Sequence, residues 1–103
     1  MRAGFVPVTR ASALAPGAMK LVVVERERVV VVNVGGAFYA LSDSCGHAGA
    51  PLSAGKLVGH LIECPLHYAC FDVRTGRLVR GPRAADVATY RVLVEADTVY
   101  VER

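Results

Sequence analysis

The chain has 103 residues, 53% of them hydrophobic and 20% charged, with a net charge of +3. That length fits one domain, and that composition excludes a disordered chain. The charge is mild and the basic residues are not interleaved with aromatics, which argues against a nucleic-acid partner.

Val supplies 18 residues against seven aromatics and no Trp. Val is branched at Cβ and packs better in strands than in helices, so an all-β chain is expected. In chain order, Phe5 to Thr9 reads as a first strand and Ala15-Pro16-Gly17 as a turn. Met19 to Val24 and Arg28 to Val34 form a hairpin over a charged tip at Glu25 to Glu27. Gly35-Gly36 turns the chain into a fourth strand, Ala37 to Leu41. From Ser42 to Gly59 small and polar residues predominate, which reads as a long loop, and long loops in small domains are usually functional. His60 to Cys64 is strand-like, Pro65 to Ala69 a second loop, and Cys70 to Val73 a strand. Arg74-Thr75-Gly76 is a turn and Gly81-Pro82 a third loop. Val87 to Glu95 and Thr98 to Glu102 close the chain as a hairpin over Ala96-Asp97. Short strands at this spacing fit a small barrel or sandwich.

No apolar run approaches the roughly 18 residues a bilayer span needs, and Arg10 interrupts the N-terminal apolar stretch before a signal-type core can form. A soluble, cytoplasmic monomer without a membrane partner is expected. Three Cys is an odd number, which points away from a disulfide framework and towards metal or redox use.

The chemistry lies in the two loops. The first holds Cys45-Gly46-His47 and the second Cys64-Pro65-Leu66-His67, so the pattern is C-x-H-x16-C-x2-H. Each loop offers one thiolate and one imidazole. Two Cys and two His suit a tetrahedral zinc, and equally a [2Fe-2S] cluster with both His on one iron. Zinc fingers pair Cys with Cys and His with His, so the mixed pairs favour the cluster.

The run Cys45-Gly46-His47-Ala48-Gly49-Ala50-Pro51-Leu52-Ser53-Ala54-Gly55 resembles the first Rieske motif. Cys64-Pro65-Leu66-His67, followed by Phe71-Asp72-Val73-Arg74-Thr75-Gly76, resembles the second. Gly81-Pro82 stands where that family has its proline loop. The resemblance spans essentially the whole chain and in size is nearest the small bacterial Rieske-type ferredoxins of oxygenase systems. Tyr68 replaces a common Gly, and Ala85 a common second Pro. The resemblance implies an antiparallel β-sandwich or barrel, with a cluster-binding subdomain inserted at about residues 42–82. It implies Cys45, His47, Cys64 and His67 as ligands, the outer imidazole nitrogens facing solvent. It also implies a one-electron carrier and not an enzyme, taking electrons from a flavin-containing reductase and passing them to a terminal oxygenase of the aromatic-ring-hydroxylating dioxygenase type. A small Rieske-like subunit of an assimilatory nitrite reductase is a second reading, and a zinc-stabilised interaction module a third.

The charge arithmetic of such a site fits the role. Two ferric ions, two sulfides and two thiolates sum to zero, and reduction gives −1. An all-Cys site would go from −2 to −3, so neutral imidazoles raise the potential. High-potential Rieske proteins of respiratory complexes carry an extra Cys in each loop, joined as a disulfide. They also carry Ser and Tyr hydroxyls behind the second loop. The matching positions here are Ala50 and Leu66, and Ala69 and Phe71.

The remaining polar residues have plainer readings. Cys70 is expected to be a buried apolar thiol and His60 a surface strand residue. Arg74, Arg77, Arg80 and Arg83 read as a solvated edge, with a docking patch as the alternative. Asp43 and Glu63 flank the ligand loops, with no catalytic geometry assigned to either.

Overall fold

The computed structural model describes residues 4–44, 51–65, 68–81 and 86–103. The expectations for Cys45, His47, Ala50, Leu66, His67, Pro82, Arg83 and Ala85 lie outside the described residues. The described residues form eleven strands and two single 3-10 turns, at Ala11–Ala13 and Leu52–Ala54. The strands are β1 Phe5–Arg10, β2 Met19–Val24, β3 Glu27–Val34, β4 Ala37–Ser42, β5 Lys56–Val58 and β6 Leu61–Glu63. They continue with β7 Cys70–Asp72, β8 Leu78–Arg80, β9 Thr89–Tyr90, β10 Val92–Glu95 and β11 Thr98–Glu102. They make three antiparallel sheets in the orders β1-β11-β10, β2-β3-β4-β9 and β5-β6-β7-β8.

The Val run of β3 is the hinge of the architecture. Val29 to Asn33 are all buried, so this strand is covered on both faces and shows no apolar–polar alternation. Val29 and Val31 face one core with Val24, Ala40, Val99 and Val101, which joins the first two sheets. Val30 and Val32 face a second core with Leu41, Leu52, Ile62, Cys64, Ala69, Phe71 and Val73, which joins the second sheet to the third. Buried Asn33 is satisfied locally: its Nδ2 donates to the Leu14 carbonyl at 2.7 Å and its Oδ1 accepts from Gly36 N at 2.8 Å.

Three tight hairpins set the register. Glu25 and Arg26, Gly35 and Gly36, and Ala96 and Asp97 each supply two consecutive left-handed residues, the pattern of a type I′ turn. Only one of these pairs is glycine. The other two hold L-residues at a cost of roughly 1–2 kcal/mol each. Asp97 is held in addition by Ser12, whose N–H and hydroxyl donate to its carboxylate at 2.8 and 2.7 Å.

The strands expected at residues 5–9, 19–24, 28–34, 37–41, 60–64, 70–73 and 98–102 are present within a residue or two. Three features differ. The long loop expected over residues 42–59 contains β5 and a 3-10 turn. Strand β8 stands where no strand is expected; like β5, it is three residues long and has no readable period. The single strand expected over Val87 to Glu95 is two, because the chain changes sheets at Arg91: β9 pairs with β4, and β10 with β11.

Candidate cluster-binding site

The described parts of the two ligand loops converge on one core. Leu52, at the exit of the first loop, packs fully buried in the same cluster as Cys64, Ala69 and Phe71 of the second.

The first loop is tied at its base by Asp43. This carboxylate is buried and accepts from Ser53 N–H at 2.6 Å and Ser53 Oγ at 2.9 Å, with Arg28 Nη2 3.9 Å away. Asp43 precedes the loop and Ser53 follows it, so the pair clamps its two ends. Gly55 then brings the chain against β6. A Cβ there would lie 1.8 Å from the Glu63 carbonyl oxygen, inside any van der Waals limit. Nothing in the sequence alone gives Asp43 this role. Its signal was an Asp two residues before the first Cys, with a Ser-Ala-Gly run beyond the loop. Asp43→Ala would leave the Ser53 N–H without its acceptor. The expected loss is about 2 kcal/mol, or roughly 10 °C in melting temperature by calorimetry, with Ser53→Ala losing less.

The second loop closes on itself. Cys64 N–H donates to the Ala69 carbonyl at 2.8 Å and Tyr68 N–H donates to the Cys64 carbonyl at 3.1 Å. This closure puts Tyr68 at φ +58°, a left-handed position where glycine would be unstrained. The Tyr68 side chain is exposed and that of Cys64 is buried. Gly81 presses on the loop from outside. It has φ +106°, and a Cβ on it would sit 2.7 Å from Ala69 Cα. Gly81 therefore rests directly on the second loop. Only a residue without a side chain permits that approach.

The turn at 72–76 fixes the far end of β7. Asp72 accepts from Arg74 N, Nε and Nη2 at 2.8, 3.0 and 2.8 Å. That hydrogen bonding, with the adjacent guanidinium charge, lowers the Asp72 pKa to about 2. A carboxyl whose folded pKa lies below its unfolded value stabilises the fold fully above about pH 4. That contribution disappears as pH falls through about 2. Arg74 is half-exposed, so solvent screening keeps the pair's contribution small. The melting-temperature gap between the protein and Asp72→Asn is expected to be constant above pH 4.5 and to shrink steadily between pH 4 and pH 2.

The other singled-out residues fall as follows. His60 lies in the β5–β6 turn, not on a strand, and packs edge-on to Tyr39 with ring centroids 6.1 Å apart. Cys70 is buried as expected, but its sulfur meets polar groups: the Tyr68 carbonyl at 3.6 Å and Arg80 Nη2 at 3.3 Å. The arginines do not form one uniform patch, since Arg74 is bound to Asp72 and Arg80 to Cys70. No helix among the described residues is long and apolar enough to cross a membrane.

A Rieske [2Fe-2S] cluster needs two thiolates and two imidazoles brought by two loops. The residues fit that demand: Cys64 directly follows β6 in the core shared by both loops, and the bare backbone of Gly81 leaves the second loop its tight closure. Residues 4–91 match the Rieske [2Fe-2S] domain family. The biphenyl 2,3-dioxygenase ferredoxin component of Rhodococcus jostii (strain RHA1) is 43% identical over 89 residues, covering 86% of this chain and 83% of that protein. The ferredoxin of carbazole 1,9a-dioxygenase from Nocardioides aromaticivorans IC177 superposes with a TM-score of 0.93 at 36% identity, over 97% of this chain and 98% of that one. A ferredoxin-type chain in a complex of reduced oxygenase and oxidized ferredoxin of carbazole 1,9a-dioxygenase superposes at 0.90, with 36% identity over 98% and 94%. The zinc reading of the four donors is thereby set aside: the chain belongs to the Rieske [2Fe-2S] family, as an electron-transfer ferredoxin whose cofactor is that cluster.

Proposed function

We propose that this protein carries single electrons in the cytoplasm from a flavin-containing reductase to a terminal oxygenase of the aromatic-ring-hydroxylating dioxygenase class. We further propose that Cys45, His47, Cys64 and His67 hold the cluster, within a subdomain spanning about residues 42–82. The observation that carries the partner is the likeness, over nearly the whole chain, to the ferredoxin seen in complex with a carbazole dioxygenase oxygenase. The cluster supplies a site that accepts and gives up one electron without bond making. The protein's own residues do the rest. Asp43 and Ser53 hold the ends of one loop, the Cys64–Ala69 and Tyr68–Cys64 bonds close the other, and the shared core keeps the two loops together. Such a braced site changes little in shape between charge states, which suits fast transfer.

The test is stopped-flow mixing of the dithionite-reduced protein with an oxidised, purified biphenyl-type dioxygenase oxygenase, followed by the visible absorbance of both. Stoichiometric, concentration-dependent transfer supports the reading. Absence of transfer to any ring-hydroxylating oxygenase, with ready transfer to the large subunit of an assimilatory nitrite reductase, overturns it.

A further inference from the structure

Cys70 is buried three residues beyond His67, yet it is absent from both apolar cores. Side chains alternate along a strand, so while Phe71 points into the core beneath the ligand loops, Cys70 points to the opposite face of β7. There its thiol lies against the Tyr68 carbonyl at 3.6 Å and receives a hydrogen bond from Arg80 Nη2 at 3.3 Å. Arg80 reaches it through an irregularity in the ladder. Phe71 pairs with Leu78 and Cys70 with Arg80, so Val79 is an extra residue that bulges outward and is 56% exposed. Bulges of this kind re-aim a neighbouring side chain. Here the bulge brings a guanidinium onto the back of the second ligand loop, two hydrogen bonds from the carbonyl of the residue that follows His67.

We propose that Arg80 is a positioning residue of the cluster site. Held by the Cys70 sulfur, its guanidinium props the Tyr68 end of the second ligand loop and fixes a positive charge behind it, which raises the site's affinity for an electron. This rests on the reading of Cys64 and His67 as ligands. Reduction adds one negative charge to the site, so a cation fixed nearby favours the reduced form. Arg80 is exposed apart from this contact, so solvent and salt moderate the effect. Thiols are weak acceptors, and the contact orders the guanidinium more than it binds it.

The experiment is voltammetry of the cluster-loaded protein and its Arg80→Gln, Arg80→Lys, Cys70→Ala and Arg80→Gln/Cys70→Ala variants, each checked by visible absorption for an intact cluster. Arg80→Gln is expected to shift the reduction equilibrium threefold to tenfold against the reduced form, about 30–60 mV downward for one electron. Arg80→Lys keeps the charge and recovers part of the shift. In the Cys70→Ala background, the Arg80→Gln shift falls to half or less, because the guanidinium is no longer held. A merely structural prop would change melting temperature and leave the potential alone. Intact spectra with unchanged potentials in both Arg80→Gln and Cys70→Ala overturn the proposal, as do fully additive shifts. If Arg80→Gln fails to fold, a Cys70→Ala potential equal to that of the parent overturns it. A Cys64→Ala protein that keeps its iron and colour contradicts the ligand reading alone, and is thereby distinguished from failure of the Arg80 role.

Discussion

Cys45→Ala, His47→Ala, Cys64→Ala and His67→Ala are each expected to purify colourless, with iron falling from about two per chain to near none, whereas Cys70→Ser keeps its full complement. On the proposed ligand set, each of the first four removes one of the four donors. A methyl group cannot ligate iron, and a neighbouring water would be a poor substitute for a thiolate or an imidazole. Cys70 stands apart in two ways. It lies six residues beyond Cys64, outside either Cys–His pair, and its sulfur is engaged with Tyr68 and Arg80 on the face of β7 away from the core that contains Cys64. Serine can make the same donation to the Tyr68 carbonyl, and the backbone bonds that close the loop do not involve the residue-70 side chain. Iron and acid-labile sulfide assays on the five variants, with circular dichroism to confirm the β fold, decide the matter. A folded but colourless Cys70→Ser would remove the paired-loop assignment.

The parts of this protein that were legible in its sequence are those where local chemistry is strong. The β2–β3–β4 meander announces itself through unbroken Val runs and a Gly-Gly turn, and it appears with nearly the expected bounds. The family is equally plain, because the two Cys–His motifs and the residues behind them resemble the Rieske pattern, and residues 4–91 match that family. What escaped are features decided by distant partners. Strands β5 and β8 are three residues each, and exist only because β6 and β7 offer ladder partners between them. The break at Arg91 exists because two sheets compete for the chain on either side of it. Asp43 resembles any loop carboxylate until Ser53 is seen to fold back onto it across the first ligand loop. Cys70 reads as apolar in the sequence because buried thiols generally are. The bulge at Val79 that brings Arg80 to it has no local signature.

The reduction potential is expected near −150 mV, at the low end of the Rieske range, and to rise in Ala69→Ser and Phe71→Tyr. Both positions are fully buried behind the second ligand loop, in one core with Cys64, and neither side chain carries a donor. The Ala69 carbonyl accepts from Cys64 N–H at 2.8 Å, which places its Cβ on the backbone that holds this thiolate. A hydroxyl there, or at the para position of residue 71, adds a donor beside a site that gains negative charge on reduction. Donors of that kind favour the reduced form. A hydrogen bond to a charged group contributes about 1.5–3 kcal/mol, and roughly 60 mV is 1.4 kcal/mol for one electron, so each substitution is expected to add tens of millivolts. The core is closely packed, and a new hydroxyl that found no acceptor would instead cost about 1–3 kcal/mol of stability. The two outcomes separate cleanly: a raised potential with a retained melting temperature means the bond formed, and a lowered melting temperature with an unmoved potential means it did not. Protein-film voltammetry of the parent and the double variant measures the first quantity, and calorimetry the second. A parent potential near −150 mV suits a carrier placed between a flavin and an oxygenase, since electrons from a reduced flavin run downhill to it. A parent potential well above zero would instead match a quinol-oxidising Rieske protein, and would contradict the assignment to an oxygenase system.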